Sequence, residues 1–269
     1  MAEQTEGHRM SSDAKPADEF YVGYLPGPVG YVRFLRRIVP ILVLLAIILS
    51  GLVIRAHNNP GDGVWDIDNS RTFEGVIDTL PYPMIRVANN DTGGPMQSIL
   101  LVSEGKFGAR NRVKPFTGQA VRVRGTVLSR NGRRLFELAD GDAAIELLGA
   151  SEAPWGGQLN RPSPEPLGTV TLRGEIIDPK CFFGAMKPGE GKPHKECATL
   201  CISGGIPPMF LTRSGGGEMR FYLLAGVDGG PVDDGILPFV ADSVEVSGTV
   251  EQLGDLQILK IDSSRIQRL

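Results

Sequence analysis

Residues 38–54 carry no charged side chain and are apolar apart from Pro40, Ser50 and Gly51. As a helix, those residues rise about 25 Å. Phe34 and Leu35 lengthen the run toward the ~30 Å of a bilayer's hydrocarbon core. No polar stripe interrupts it, unlike the surface helix of a soluble domain. A transmembrane helix over residues 35–55 is therefore expected, with Pro40 in its first turn, where a missing N–H costs little. Arg9, Lys15, Arg33, Arg36 and Arg37 precede the run, and the nearest basic residues after it are Arg55 and Arg71. The positive-inside rule then makes residues 1–34 a cytoplasmic tail and sends 56–269 to the periplasmic side of a bacterial inner membrane. No small-residue cleavage site follows, so the run reads as a single-pass anchor rather than a signal peptide. Arg36-Arg37 would also open a twin-arginine signal, but the flanking residues match it poorly.

Before the anchor, residues 1–20 are polar and expected to be disordered. Residues 20–28 are aromatic and apolar but broken by Gly and Pro, as in a segment lying on the membrane or docking on a partner subunit. Beyond the anchor, short alternating runs end at Gly, Asn and Asp, a β pattern. Glycine and proline, 35 and 20 residues, suit a turn-rich β protein and argue against a helical bundle. With 28 Lys+Arg against 31 Asp+Glu the net charge is -3, which argues against nucleic acid as a partner.

The β region repeats itself. The pattern V-x-V-x-G-T-V at 121–127 returns at 244–250, an offset of 123. Leu135, Glu137 and Leu138 map onto Ile258, Lys260 and Ile261 at the same offset, and Ile99 onto Tyr222. Phe73 and Gly75 map onto Leu172 and Gly174 at an offset of only 99, so the second copy holds 24 extra residues after its first strand. A glycine in strand one and a V-x-V-x-G-T-V strand later look like small five-stranded OB-type barrels. Glycine there relieves crowding where a strand bends round a barrel. The expected fold is mainly β: a transmembrane helix, then two OB-like β-barrel modules at 56–150 and 167–269, joined by a stiff Pro-rich connector at 151–166.

The insertion, 178–208, holds all three cysteines and one of the three histidines. Pro193 suits a first helical position and Gly204 a helix stop, so a short helix is expected over about 193–203. It would put His194, Cys197 and Cys201 within an arc of roughly 60° on one face. Cys181, from the preceding loop, would complete a fourth corner. Cys181, His194, Cys197 and Cys201 are a Cys₃His ligand set, a known structural combination for zinc. An iron–sulfur cluster or copper would also accept such donors, with Met186 and Met209 as further soft ligands or, more plainly, as packing residues. The competing chemistry is a disulfide. Cβ atoms at i and i+4 on a helix lie ~5–6 Å apart. A disulfide wants ~3.8 Å, so Cys181 would bond one of the helical pair and leave an odd thiol. Asp178 and Lys180 flank Cys181. A nearby cation lowers a thiol pKa, while the plainer reading is a turn with solvated charges. The Gly204-Gly-Ile-Pro-Pro208 stretch either holds the helix on the barrel or walls a ligand cleft.

The residues Lys180, Cys181, Gly184, 186–189, His194, Cys197, Ala198, Cys201 and 204–208 resemble a stretch in uncharacterised bacterial single-pass membrane-anchored proteins, with a Cys/His insertion in an OB-like barrel domain. That resemblance implies no established activity. No phosphate loop, Gly-x-Ser-x-Gly or His-Glu-x-x-His is present. The expected function is that of a membrane-anchored periplasmic metal-binding accessory or assembly subunit of a larger membrane complex, rather than an enzyme. The alternatives are an iron–sulfur or copper electron-transfer protein and a periplasmic thiol–disulfide redox protein.

Overall fold

The computed structural model describes residues 28–56, 62–88, 96–149, 152–153 and 155–269, and contacts divide the chain into residues 1–59 and 60–269. In the first unit, α1 runs Val29–Ala56, and Val29–Arg55 is long and apolar enough to cross a membrane. The helix starts before residue 35 because the nearest breaker upstream is Pro28, whose carbonyl accepts from Val32 N–H at 2.9 Å. Pro40 therefore lies in the helix interior rather than in the first turn. It leaves the Arg36 carbonyl without its helical donor. The expectations for residues 1–27 lie outside the described residues.

The second unit holds two sheets. The first comprises β1 (Val64–Trp65), β2 (Arg71–Asp78), β3 (Met84–Val87), β4 (Gln97–Val102), β5 (Ala120–Arg130), β6 (Arg133–Leu138) and β7 (Ile145–Leu147), with the one-turn helix α2 (Arg110–Val113) between β4 and β5. The second comprises β8 (Glu165–Ile177), β9 (Met209–Arg213), β10 (Met219–Gly226), β11 (Ser243–Leu253), β12 (Leu256–Ile261) and β13 (Gln267–Arg268), with α3 (Lys195–Ser203) between β8 and β9.

Each sheet closes on itself. The ring β2-β3-β4-β6-β5 returns to β2, antiparallel throughout except at β4–β6. The ring β8-β9-β10-β12-β11 returns to β8 with its one parallel pair at β10–β12. These are two closed five-stranded OB-like barrels.

Strand register repeats residue for residue. Gly75 faces Val121 and Gly174 faces Val244, which reproduces both the 99 and the 123 offsets. Leu100 faces Leu135 and Leu223 faces Ile258, again 123 apart. The extra residues of the second copy enter between its first two strands, β8 and β9. The barrel glycines are needed for close approach. A Cβ on Gly125 would lie 1.9 Å from the Glu137 carbonyl oxygen, and one on Gly248 would lie 2.2 Å from that of Lys260.

The repeat extends to a turn that the sequence pattern does not reveal. Gly118 N–H donates to the Ile77 carbonyl at 2.8 Å, and Ala241 N–H donates to the Ile176 carbonyl at 2.9 Å. Both residues have positive φ, 75° for Gly118 and 60° for Ala241. A Cβ on Gly118 meets nothing within 4 Å. Gly118→Ala should therefore lower stability by about 1 kcal/mol through backbone conformation alone, read as a shift in the urea midpoint. No loss would mean that the turn tolerates L side chains in both copies.

The connector is not simply extended. It makes a tight turn at Gly156–Leu159, buries Leu159, and pins Arg161 to the Asp78 carboxylate at 2.7 Å.

Apolar side chains form three clusters. One fills the first barrel around Ile85, Leu101, Val123 and Phe136. Another fills the second around Phe210, Leu224, Val246 and Leu259. The third lies at the seam: Met84, Leu100 and Leu135 from the first barrel meet Phe221, Leu223 and Ile258 from the second, with Phe182 and Phe183 of the insertion between them. Phe221 takes both insertion rings edge-on at 5.8 and 5.9 Å. The Arg130 guanidinium stacks 3.8 Å above Phe182. The insertion therefore forms part of the joint between the barrels.

Candidate metal centre

The first donor segment follows directly from the end of β8. Asp178 Oδ1 accepts the Lys180 N–H at 2.8 Å and its carbonyl accepts from Phe182 N–H at 3.0 Å, which turns the chain inward. The turn Cys181–Ala185 buries Cys181 beside the two phenylalanines. The second donor segment begins with the turn Lys192–His194, opened by Pro193, and continues as α3. Cys197 and Cys201 lie one helical turn apart on α3, while His194 sits at its N-cap rather than on the helix itself.

The flanking charges are buried, contrary to the expectation of a solvated turn. Asp178 is 0% exposed and Lys180 3%. Lys180 Nζ pairs with the Glu137 carboxylate and donates to the Ser103 carbonyl at 3.0 Å, so its charge serves the first barrel rather than the Cys181 thiol. The same first-barrel loop, residues 103–108, packs against the end of α3. Gly108 N–H donates to the Gly204 carbonyl at 2.9 Å. Gly204 has ordinary helical φ; the left-handed residue is Gly205, at φ +94°. What Gly204 requires is space, since a Cβ there would lie 1.9 Å from the Lys106 carbonyl oxygen.

That docking brings Lys106 to the thiols. Its Nζ donates to Cys197 Sγ at 2.8 Å and lies 3.7 Å from Cys201 Sγ. Nothing in the sequence around Lys106 marks it, and it is 91 residues from Cys197.

The donor atoms form two overlapping sets. The sulfurs of Cys181, Cys197 and Cys201 lie within 4.8 Å of one another, and so do ligand atoms of Asp178, Cys181 and His194. Cys181 belongs to both. His194 is thus brought to Cys181 and Asp178, but it does not fall within that distance of all three sulfurs. Cys181 Sγ and Cys197 Sγ are 4.0 Å apart. Two thiolates on one tetrahedral zinc would lie about 3.8 Å apart, given Zn–S bonds near 2.3 Å. A disulfide would bring them to about 2.05 Å. Two buried atoms on residues of these sets lack hydrogen-bond partners, Asp178 Oδ2 and His194 Nε2. Buried polar atoms are otherwise nearly always paired, so these two have capacity for a ligand. The cluster therefore has the donor types and spacing to bind a metal.

The electrostatics follow from the packing. The hydrogen bond to Cys201, burial and the Asp178 carboxylate all push the Cys181 thiol up from its ordinary value. Burial holds the His194 imidazole below its usual range despite the Asp178 charge, which favours the neutral ring that can ligate. The hydrogen bond to Cys197 pushes the Lys106 ammonium up.

Met186 is 48% exposed, outside the buried core, whereas Met209 packs in the seam. Gly204, Gly205, Ile206 and Pro208 lie both at the contact with the first barrel and along a cleft. They seat α3 on the first barrel and line a cleft of about 320 Å³ with Tyr82 and Arg110. Burial pushes the Tyr82 phenol there up to about 12.

No protein-family model, curated protein or solved structure matches the chain. What the structure shows of the chain is an apolar N-terminal helix and β-barrel sheets, and no comparison ties these to a family.

Proposed function

We propose that the chain is a single-pass accessory or assembly subunit of a larger membrane complex, with its barrel pair in the periplasm and anchored in a bacterial inner membrane. Its barrels are joined by a metal centre, zinc, to which Cys181, His194, Cys197 and Cys201 contribute. One observation carries this reading: three clustered thiols and two unpartnered buried donor atoms lie at the seam of the barrels, where a lysine of the first barrel reaches a thiol of the second. Zinc would supply a redox-inert tetrahedral cross-link, which suits a structural joint. The charge asymmetry around α1 supports the orientation. A second reading, a thiol–disulfide protein, is supported by Cys181 and Cys197 being free thiols that lie next to each other.

The test is purification of the full chain from membranes in mild detergent, followed by elemental analysis and thiol counting. Bound zinc with all three thiols titratable after chelation supports the metal centre. A metal-free chain with one reactive thiol and a disulfide rejects it in favour of the redox reading. Iron with inorganic sulfide, or copper, would make it an electron carrier. A chain that sediments alone under every mild detergent, and whose deletion leaves all membrane complexes assembled, rejects the accessory role.

A further inference from the structure

The five donors cannot all serve one ion in this arrangement. Two atoms bound to the same zinc are separated by at most the sum of their bond lengths, about 4.6 Å for two sulfurs and about 4.3 Å for sulfur and nitrogen. Asp178, Cys181, His194, Cys197 and Cys201 do not all fall within 4.8 Å of one another, yet each triple does. The triples share a single atom, Cys181 Sγ.

Resting on the metal reading above, we infer that the centre is binuclear. The Cys181 thiolate bridges one ion held with Cys197 and Cys201 to a second ion held with Asp178 and His194.

Three further observations support this. First, the two residues that carry unpartnered buried atoms, Asp178 with Oδ2 and His194 with Nε2, belong to the same triple and are 0% and 3% exposed. A buried carboxylate oxygen with no partner is costly, and a cation satisfies it where a single ion on the thiols would not. Secondly, three thiolates and one carboxylate carry four negative charges; a single divalent ion with Lys106 leaves one of them uncompensated, whereas two divalent ions neutralise all four and leave Lys106 as the one net charge, on the thiol side. Thirdly, the second triple offers N, O and S donors, all accepted by zinc. Asp178 is presented rigidly, because its Oδ1 is tied to the Lys180 N–H and leaves Oδ2 free. Water can complete the coordination of each ion, as it does in open zinc sites.

The experiment loads the reduced full chain in detergent with zinc, strips weakly held ions with a chelating resin, and counts zinc per chain. About two equivalents are expected for the native chain. Asp178→Asn keeps the Oδ1 acceptor and the turn but weakens the second triple, so retained zinc should fall by half. His194→Gln should do the same. Cys197→Ser should also lose half, whereas Cys181→Ser, at the bridge, should lose both ions. Circular dichroism on each variant separates lost ligands from lost fold, and the Asp178→Asn and Cys197→Ser pair suffices if Cys181→Ser does not fold. One equivalent in the native chain, unchanged in Asp178→Asn, overturns the binuclear centre and leaves a single metal site standing. An extra equivalent that survives in Asp178→Asn and His194→Gln is adventitious surface zinc and also overturns it. No retained zinc overturns both readings.

Discussion

Asp78→Ala is expected to cost about 3–5 kcal/mol of folding stability, because it strands a buried guanidinium. Arg86 on β3 is 1% exposed, and its charge partner is the Asp78 carboxylate at the end of β2. Arg161 of the connector meets the same carboxylate from a more exposed position. Among the described residues, removing Asp78 leaves Arg86 with the Met84 sulfur, at 3.8 Å, as its remaining polar side-chain contact. Arg86→Met alone should cost less, since Asp78 keeps Arg161 and the Leu80 N–H. The double variant should recover part of the Asp78→Ala loss, because an apolar side chain then fills the site. Denaturant titrations of the four proteins measure this coupling; additive losses would mean that the pair is not the source. The acid limb gives a second check. Burial pushes the Asp78 carboxyl up, but Arg86, the Leu80 N–H and Arg161 outweigh it and hold the carboxyl below its ordinary value of 3.8. A depressed folded pKa contributes stability that is present above the ordinary value and lost as pH falls through the folded one. Asp78→Asn should therefore flatten the acid limb below about pH 4.

The barrels were legible in the sequence because an OB-type ring imposes the same demands twice. Gly125 and Gly248 face a neighbouring backbone oxygen at corresponding places, so neither copy can hold a side chain there. Each long strand that carries such a glycine alternates between inward and outward residues, which keeps V-x-V-x-G-T-V recognisable. The Gly118 and Ala241 turn escaped notice because the first copy fills its left-handed position with glycine and the second with alanine, so no shared letter marks it. Helix α1 extends upstream of the span expected from apolar composition for a related reason. Residues 29–34 are neither apolar enough to read as membrane nor able to break a helix, and only a breaker shows where a helix stops.

At the site, cysteine and histidine could be found because they are rare and confined to one insertion. Asp178, Lys180 and Lys106 could not be assigned in the same way. Asp and Lys are common and usually solvated, so their residue types say little until burial is known. The setting of Lys180 and the approach of Lys106 depend on the docking of residues 103–108, which belong to the other barrel and carry no motif. Phe182 and Phe183 were overlooked as structural residues for the same reason: the surface that they pack against is built by both copies together.

That dependence gives the second large effect. Gly204→Ala is expected to destabilise the barrel pair by about 3 kcal/mol and to loosen the candidate metal centre with it. The backbone at Gly204 is helical, φ -76°, so alanine meets no conformational penalty there. In a free helix the change would be stabilising, by up to ~1 kcal/mol. The loss must come from the seam. The new methyl would lie 1.9 Å from the Lys106 carbonyl oxygen and 3.2 Å from that of Leu200. Both are backbone atoms, so no side chain can rotate away; loop 103–108 or the end of α3 has to move. Moving that loop breaks the Gly108–Gly204 hydrogen bond and withdraws the Lys106 ammonium from Cys197. It also removes the carbonyls that receive Lys180, leaving that buried charge with Glu137 alone. Ser203→Ala, one residue earlier on an exposed position, serves as the control. Urea unfolding and the rate of thiol alkylation should both separate the two variants. Gly204→Ala should react faster at Cys197 and release metal sooner, while Ser203→Ala should match the native chain. If the Gly204→Ala protein is as stable and as slowly alkylated as the native one, loop 103–108 does not close the centre, and the site is built by the insertion alone.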